Sequence, residues 1–134
     1  MPPEPPADEF FLDPRAVRRS FDAASATFDA AAAVHAEIRS RLLERLDVVR
    51  LDPAVVVDLG AGTGHASRAL QDRYSSAHVV AMDLSPRMLL QARRQQRLFR
   101  RFSRVATDAQ RLSLRDNSVD LYMEIGRASC RERV

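Results

Sequence analysis

VVVDLGAGTG, residues 55–64, decides how the rest of the chain is read. The run AVVVDLG (54–60) is rich in β-branched residues and suits a strand buried on both faces. It leads into three glycines at alternate positions, Gly60, Gly62 and Gly64, and then into HASRALQDR (65–73), which reads as a helix. Glycines between a strand and a helix permit positive φ and let a ligand come close to the backbone. Nucleotide-binding folds share such loops, and two details narrow the reading. The third glycine follows the second by two residues, not by the three of a dinucleotide fingerprint. Asp58 stands just before the loop, where a carboxylate disfavours a pyrophosphate and suits a cationic ligand. A tight strand–helix turn without a ligand is the plainer alternative.

Downstream, HVVAMDL (78–84) is a second buried strand. Ser85-Pro86 then opens a helix expected to run to about Arg100, with Ser as N-cap and Pro in its first turn. SRVATDA (103–109) is a shorter third strand, Asp116-Asn117-Ser118 a turn, and VDLYM (119–123) a fourth strand. Strand, helix, strand, helix, strand, strand with short links predicts a parallel, doubly wound sheet of Rossmann-like type. Right-handed crossovers set the loops after the first two strands side by side, so a ligand binds at that carboxyl edge. Asp83 ends the second strand, 19 residues past Gly64. A carboxylate there can accept both hydroxyls of a ribose, or simply cap the helix. Asp108, expected at the end of the third strand, can accept an adenine amino group or be an ordinary loop aspartate. Asp120, inside the fourth strand, is read as structural.

Upstream, residues 14–29 and 30–49 read as helices. Asp13-Pro14 is an N-cap and first-turn pair, and Val34, Ile38, Leu42 and Leu46 form one apolar stripe. MPPEPPADE reads as the start of a disordered leader, residues 1–13. No basic segment followed by an apolar run marks a signal peptide, and no stretch reaches membrane-span length.

The 46% apolar fraction is enough for one packed domain. All 21 basic residues are Arg, with a formal net charge of +3. The absence of Lys reads as compositional bias, and no aromatics alternate with the arginines to stack bases, so no nucleic-acid partner is expected. The same reading favours a solvated face for the arginines of 87–101 over a docking face for an acidic partner. His35, His65 and His78 share no ligand spacing, so no metal is expected. Cys130 is the single cysteine, and a reducing, cytoplasmic compartment is the default.

The segment EIGRASCRERV (124–134) is set apart. The codons ATC GGA AGA GCG TCG TGT AGG GAA AGA GTG translate to Ile125–Val134, and that DNA is a common short-read sequencing adapter. These residues are expected to be non-native, to make few core contacts and not to extend the sheet as a paired strand. Without them the net charge is 18 − 16 = +2 and every glycine of the chain lies within 60–64.

Three segments, VVVDLGAGTG, VVAMDLSPRML (79–89) and RVATDAQRLSLRDNSVDLYM (104–123), resemble the class I methyltransferases that use S-adenosylmethionine. The resemblance implies that Asp58, Gly60, Ala61, Gly62 and Gly64 lie near the methionine end of that cofactor. It places Asp83 and Leu84 at the ribose and Asp108 and Ala109 at the adenine. The cofactor's sulfonium and α-ammonium fit the cationic reading of Asp58. VRRSFDAASATFD (17–29), followed by AAVHAEIRSRLLERL (32–46), is similar to the opening of the malonyl-acyl-carrier-protein O-methyltransferases of biotin synthesis. In those enzymes this segment covers the cofactor; here Phe28 stands where a Tyr is usual.

The resemblance thus implies a Rossmann-like sheet truncated after its fourth strand. The partial domain spans 14–123, with N-terminal helices over 14–50 and the Rossmann-like half over 54–123. It implies transfer of a methyl group to the free carboxylate of a malonyl thioester on acyl carrier protein. Such a carboxylate is ionised at neutral pH, so no general base is required and no catalytic residue is assigned. Two other readings stand beside it: a class I methyltransferase acting on another small molecule such as a quinone precursor, and a cofactor-binding assembly factor without methyl transfer. The fourth strand is expected to lack a partner on its far edge, leaving the chain prone to aggregate and inactive.

Overall fold

A computed structural model describes residues 13–24, 33–112, 114–124 and 129–132. Two helices come first, α1 (Pro14–Ala24) and α2 (Ala33–Asp47). They are followed by β1 (Val55–Leu59), α3 (His65–Arg73), β2 (His78–Asp83), α4 (Pro86–Arg93) and β3 (Ser103–Ala106). A short 3₁₀ turn (Ala109–Arg111), β4 (Leu121–Glu124) and β5 (Ser129–Glu132) complete the order. Asp13 starts α1 as expected, its Oδ1 accepting the Arg15 N–H at 3.0 Å. The expected helical stretch across 25–32, including Phe28, lies outside the described residues.

The strands form one sheet in the order β3-β2-β1-β4-β5. β1 pairs in parallel with β2 and with β4, and β2 with β3, which sets Val56 between Val79 and Leu121. Strand order reverses at β1, so the glycine loop leaves the sheet at the switch point where open α/β sheets take ligands. Pleating gives each strand two faces. Val56, Val79, Ala81, Leu121 and Met123 share one core with Leu42 and Leu46 of α2, Ala66 and Leu70 of α3, and Leu89 and Ala92 of α4. Val57, Leu59, Met82 and Val119 form the second core, with Val55, Val80 and Tyr122 packed against it. Helices α2, α3 and α4 therefore cover one face, α1 packs against α4, and residues of the β3–β4 connection lie over the other face beside Val57, Leu59 and Tyr122.

Several features differ from the expectation, among them the start of β4, which is Leu121 and not Val119, so that Asp120 stands just before the strand and not inside it. The α2 stripe is buried only in its second half: Leu42 and Leu46 are in the core, whereas Val34 is 69% exposed. α4 stops at Arg93 instead of Arg100. Its last N–H groups bond three residues back, Arg94 to Gln91 and Gln95 to Ala92. The chain then turns so that Phe102 can enter the core, and Gln96 Nε2 donates to the Phe102 carbonyl at 2.6 Å. The arginines of 87–101 thus do not share one helix face, and Arg97 makes a two-pronged pair with Asp72, at 2.8 and 3.0 Å. β3 ends at Ala106, so Asp108 lies two residues past it, in the link to the 3₁₀ turn.

A further difference concerns the terminal segment. Ser129–Glu132 pairs antiparallel with β4, Met123 opposite Cys130, contrary to the expectation that 124–134 would not extend the sheet. The edge of β4 accordingly has a partner. An interior strand of a parallel sheet presents a full row of N–H and C=O groups, and a short extended segment that can fold back satisfies them. Among the described residues no helix is long and apolar enough to cross a membrane.

Candidate cofactor site

All three loop glycines have positive φ: Gly60 at 69°, Gly62 at 56° and Gly64 at 84°. They are needed for different reasons. A Cβ on Gly64 would lie 2.7 Å from the Ala92 Cβ, so this glycine lets α3 and α4 pack together. A Cβ on Gly60 would meet nothing within 4 Å, which leaves open space on that side of the loop. The loop is fastened to β2 by the Ala61 N–H, which donates to the Met82 carbonyl at 2.9 Å.

Asp83 holds the loop at its other point. Its Oδ2 accepts the Gly62 N–H at 2.8 Å and its Oδ1 accepts the Ser85 N–H at 2.8 Å. Each carboxylate oxygen has a second lone pair, so a preorganised pair of acceptors faces the carboxyl edge. Partial burial pushes the Asp83 carboxyl up, while the N–H groups of Ser85, Gly62 and Leu84 draw it down. Leu84 is half-buried between Asp83 and the N-cap Ser85, whose Oγ accepts the Met88 N–H at 3.2 Å.

Asp58 is fully buried, beneath the loop rather than on its surface. Its Oδ2 accepts the Ser67 hydroxyl at 2.6 Å, tying β1 to α3. Its Oδ1 has no partner among the described residues. Burial pushes this carboxyl up to about 7; the Ser67 hydrogen bond opposes the rise and the nearby Asp83 charge adds to it. A buried carboxylate with an unfilled lone pair is a costly arrangement that a nearby cation relieves.

The third element is the link after β3. The Thr107 N–H donates to the Asp83 carbonyl at 2.9 Å, which draws this link against the end of β2. The Asp108 carbonyl accepts the Arg111 N–H at 2.9 Å and opens the 3₁₀ turn. Ala109 is exposed and lines a cavity of about 590 Å3 with Val57, Leu59, Leu112, Leu114 and Tyr122 on the second sheet face. The residues singled out in the sequence therefore converge on the carboxyl ends of three adjacent strands. The Ser67 hydroxyl under Asp58 is a further contributor. It lies nine residues after Asp58 with no motif to mark it, and only the packing of α3 on β1 brings the two together.

The fold is that of an α/β domain whose parallel sheet carries a glycine loop at its switch point. Residues 56–131 match the family described as a methyltransferase domain, and the chain belongs to that family. Among curated relatives, the malonyl-[acyl-carrier protein] O-methyltransferase of Methylovorus sp. (strain MP688) is 46% identical over 121 residues. That match takes in 86% of this chain and 41% of the relative. The enzyme of the same name from Halorhodospira halophila (strain DSM 244 / SL1) is 47% identical over 116 residues, or 87% of this chain and 39% of the relative. The chain thus spans about 40% of the length of these relatives. The fold is similar to that of magnesium protoporphyrin IX methyltransferase from Synechocystis PCC 6803, solved with bound S-adenosylmethionine. There the TM-score is 0.63 at 18% identity, covering 87% of this chain and 64% of that one. Human N-acetylserotonin methyltransferase, also with S-adenosylmethionine, gives a TM-score of 0.58 at 21% identity over 90% of this chain and 32% of that one.

Proposed function

We propose that this chain is the cofactor-binding part of an O-methyltransferase that uses S-adenosylmethionine to methylate the free carboxylate of malonyl-acyl-carrier protein. The observation that carries the cofactor assignment is the Asp83 carboxylate, held at the mouth of the glycine loop by two N–H groups and keeping lone pairs for two ribose hydroxyls. The acceptor assignment rests on the relatives, which are 46% and 47% identical to this chain over the 41% and 39% of their length that align with it.

When bound, S-adenosylmethionine supplies a methyl group on a positively charged sulfur. Asp83 orients the ribose. Gly60 leaves room for the close approach of the methionine portion, and Asp58 lends negative charge from beneath the loop to the ammonium end. Asp108 and Ala109, in the link after β3, are the residues assigned to the adenine. The acceptor carboxylate is already ionised at neutral pH, so the site has no proton to remove. Its work is alignment and exclusion of water. A soluble, cytoplasmic enzyme working on a carrier-protein thioester completes this reading.

Calorimetry with S-adenosylmethionine and with NAD tests the cofactor. Asp83→Ala is expected to weaken S-adenosylmethionine binding by about 1–3 kcal/mol, the cost of unpaired ribose hydroxyls. Tighter binding of NAD than of S-adenosylmethionine overturns the assignment. For the acceptor, methyl transfer to malonyl-acyl-carrier protein is assayed with the full-length gene product, and methylation of an unrelated acceptor in its place overturns that half.

A further inference from the structure

The hydrogen bonds around Asp83 do not end at Ser85. The Ser85 hydroxyl donates to Oδ1 of Asp22, on α1, 63 residues away in sequence. The same Asp22 oxygen accepts the Arg87 N–H at 3.3 Å, so it serves as a second cap on α4. Arg18, one turn earlier on α1, lies 3.8 Å from Asp22 Oδ2. A continuous path thus runs from Gly62 through Asp83 and Ser85 to the N-terminal helix. The Asp22 carboxylate sits at the positive end of a helix, where a negative charge is favoured. The Ser85 hydroxyl, above all, holds its carboxyl below the usual range. Asp22 is also near enough to Asp83 for its charge to push the Asp83 carboxyl up.

We infer that Asp22 is a positioning residue: it fastens α1 to the first turn of α4 beside Asp83, so that docking of α1 and occupancy of the ribose corner are coupled. This rests on the assignment of Asp83 to the ribose. A ligand that fixes Asp83 also fixes Ser85, and through it the anchor of α1. By linkage, a docked α1 must strengthen ligand binding by the same factor. Asp22 lies within the quoted segment 17–29, but its link to Ser85 and Arg87 exists only once α1 has been laid against α4.

The test uses S-adenosylhomocysteine as probe, with calorimetry and limited trypsin cleavage after Arg18 and Arg19 followed by mass spectrometry. In the wild-type protein the probe is expected to slow those two cleavages. Asp22→Ala should bind it roughly tenfold more weakly, a typical coupling, and lose the protection. Asp22→Asn keeps an acceptor oxygen for Ser85 and Arg87 and should restore most of both. Equal affinity and equal protection in Asp22→Ala and wild type overturn the inference. If Asp22→Ala does not fold, removal of residues 1–24 reads the same coupling, and wild-type affinity without α1 overturns it. Asp83→Ala separates the two assignments. Loss of binding there with an unaffected Asp22→Ala removes the latch alone, whereas undiminished binding by Asp83→Ala removes the ribose assignment and the latch with it.

Discussion

Asp120 and Val55 exchange two hydrogen bonds across 65 residues of sequence: the Asp120 N–H donates to the Val55 carbonyl at 3.0 Å, and the Val55 N–H donates to Asp120 Oδ2 at 3.0 Å. The same oxygen accepts the Ala54 N–H at 2.9 Å. This clamp closes the amino end of the sheet, opposite the glycine loop. Asp120→Ala leaves two backbone donors without their acceptor and is expected to cost about 2–3 kcal/mol of stability. Asp120→Asn, which keeps one oxygen, should lose less than half of that. Urea unfolding reads both, and a midpoint unmoved by Asp120→Ala would remove the clamp's significance.

Asp58 makes stability depend on pH. Its carboxyl is raised from 3.8 to about 7 in the folded chain, so the folded state holds the proton more tightly than the unfolded one. The associated stability is complete below pH 3.8 and is lost as pH rises through about 7. The full difference is on the order of 4 kcal/mol. Asp58→Asn should therefore match the wild type near pH 4 and exceed it near pH 8. A cationic ligand should expel the proton, so calorimetry at pH 7 in buffers of different ionisation enthalpy should detect proton release on binding. Parallel stability curves for the two proteins across this range would contradict the assignment.

Gly60 and Gly64 should separate stability from binding. Gly64→Ala combines a φ of 84° with a 2.7 Å approach to Ala92, and a loss of at least about 2 kcal/mol is expected. Gly60→Ala carries the backbone strain alone, about 1 kcal/mol, because its Cβ meets no protein atom. Its methyl group would instead occupy the space left for the cofactor. Thermal unfolding should rank Gly64→Ala as the worse change, and S-adenosylmethionine affinity should fall sharply in Gly60→Ala. The opposite ranking in the unfolding experiment would mean that the loop is packed differently.

The terminal segment is testable at the level of DNA. An independent genomic clone should encode a different sequence after Met123. Deletion of residues 124–134 from the present chain should leave its S-adenosylmethionine affinity unchanged, since every candidate cofactor contact lies before β4. Recovery of the same eleven residues, EIGRASCRERV, from the clone would establish them as native.

The parts of the fold legible in sequence are those with a local physical cause. The Val55–Val57 run announces a buried strand, three alternating glycines announce positive φ, and Ser85-Pro86 announces a helix start. Asp83 follows from the spacing of strand and loop. The end of α4 was not legible, because helix propensity through Arg100 loses to the burial of Phe102, a tertiary demand. The fate of Ser129–Glu132 was equally hidden, since pairing is decided by the open edge of β4 and not by the segment's own composition. Asp58 was readable as an acid beside the loop but not as one sealed under it. Its burial depends on Ser67 and on how α3 lies across β1.

One carboxylate, that of Asp83, both anchors the Gly62 N–H and, in the role proposed for it, offers the lone pairs for the sugar. Recognition and scaffold are therefore a single variable at this position. Lengthening the side chain to Glu to suit a different nucleoside would displace the loop along with the acceptor. An attempt to redirect cofactor choice in this domain must begin by giving the Gly62 N–H another partner, and only then alter the residue that reads the ribose.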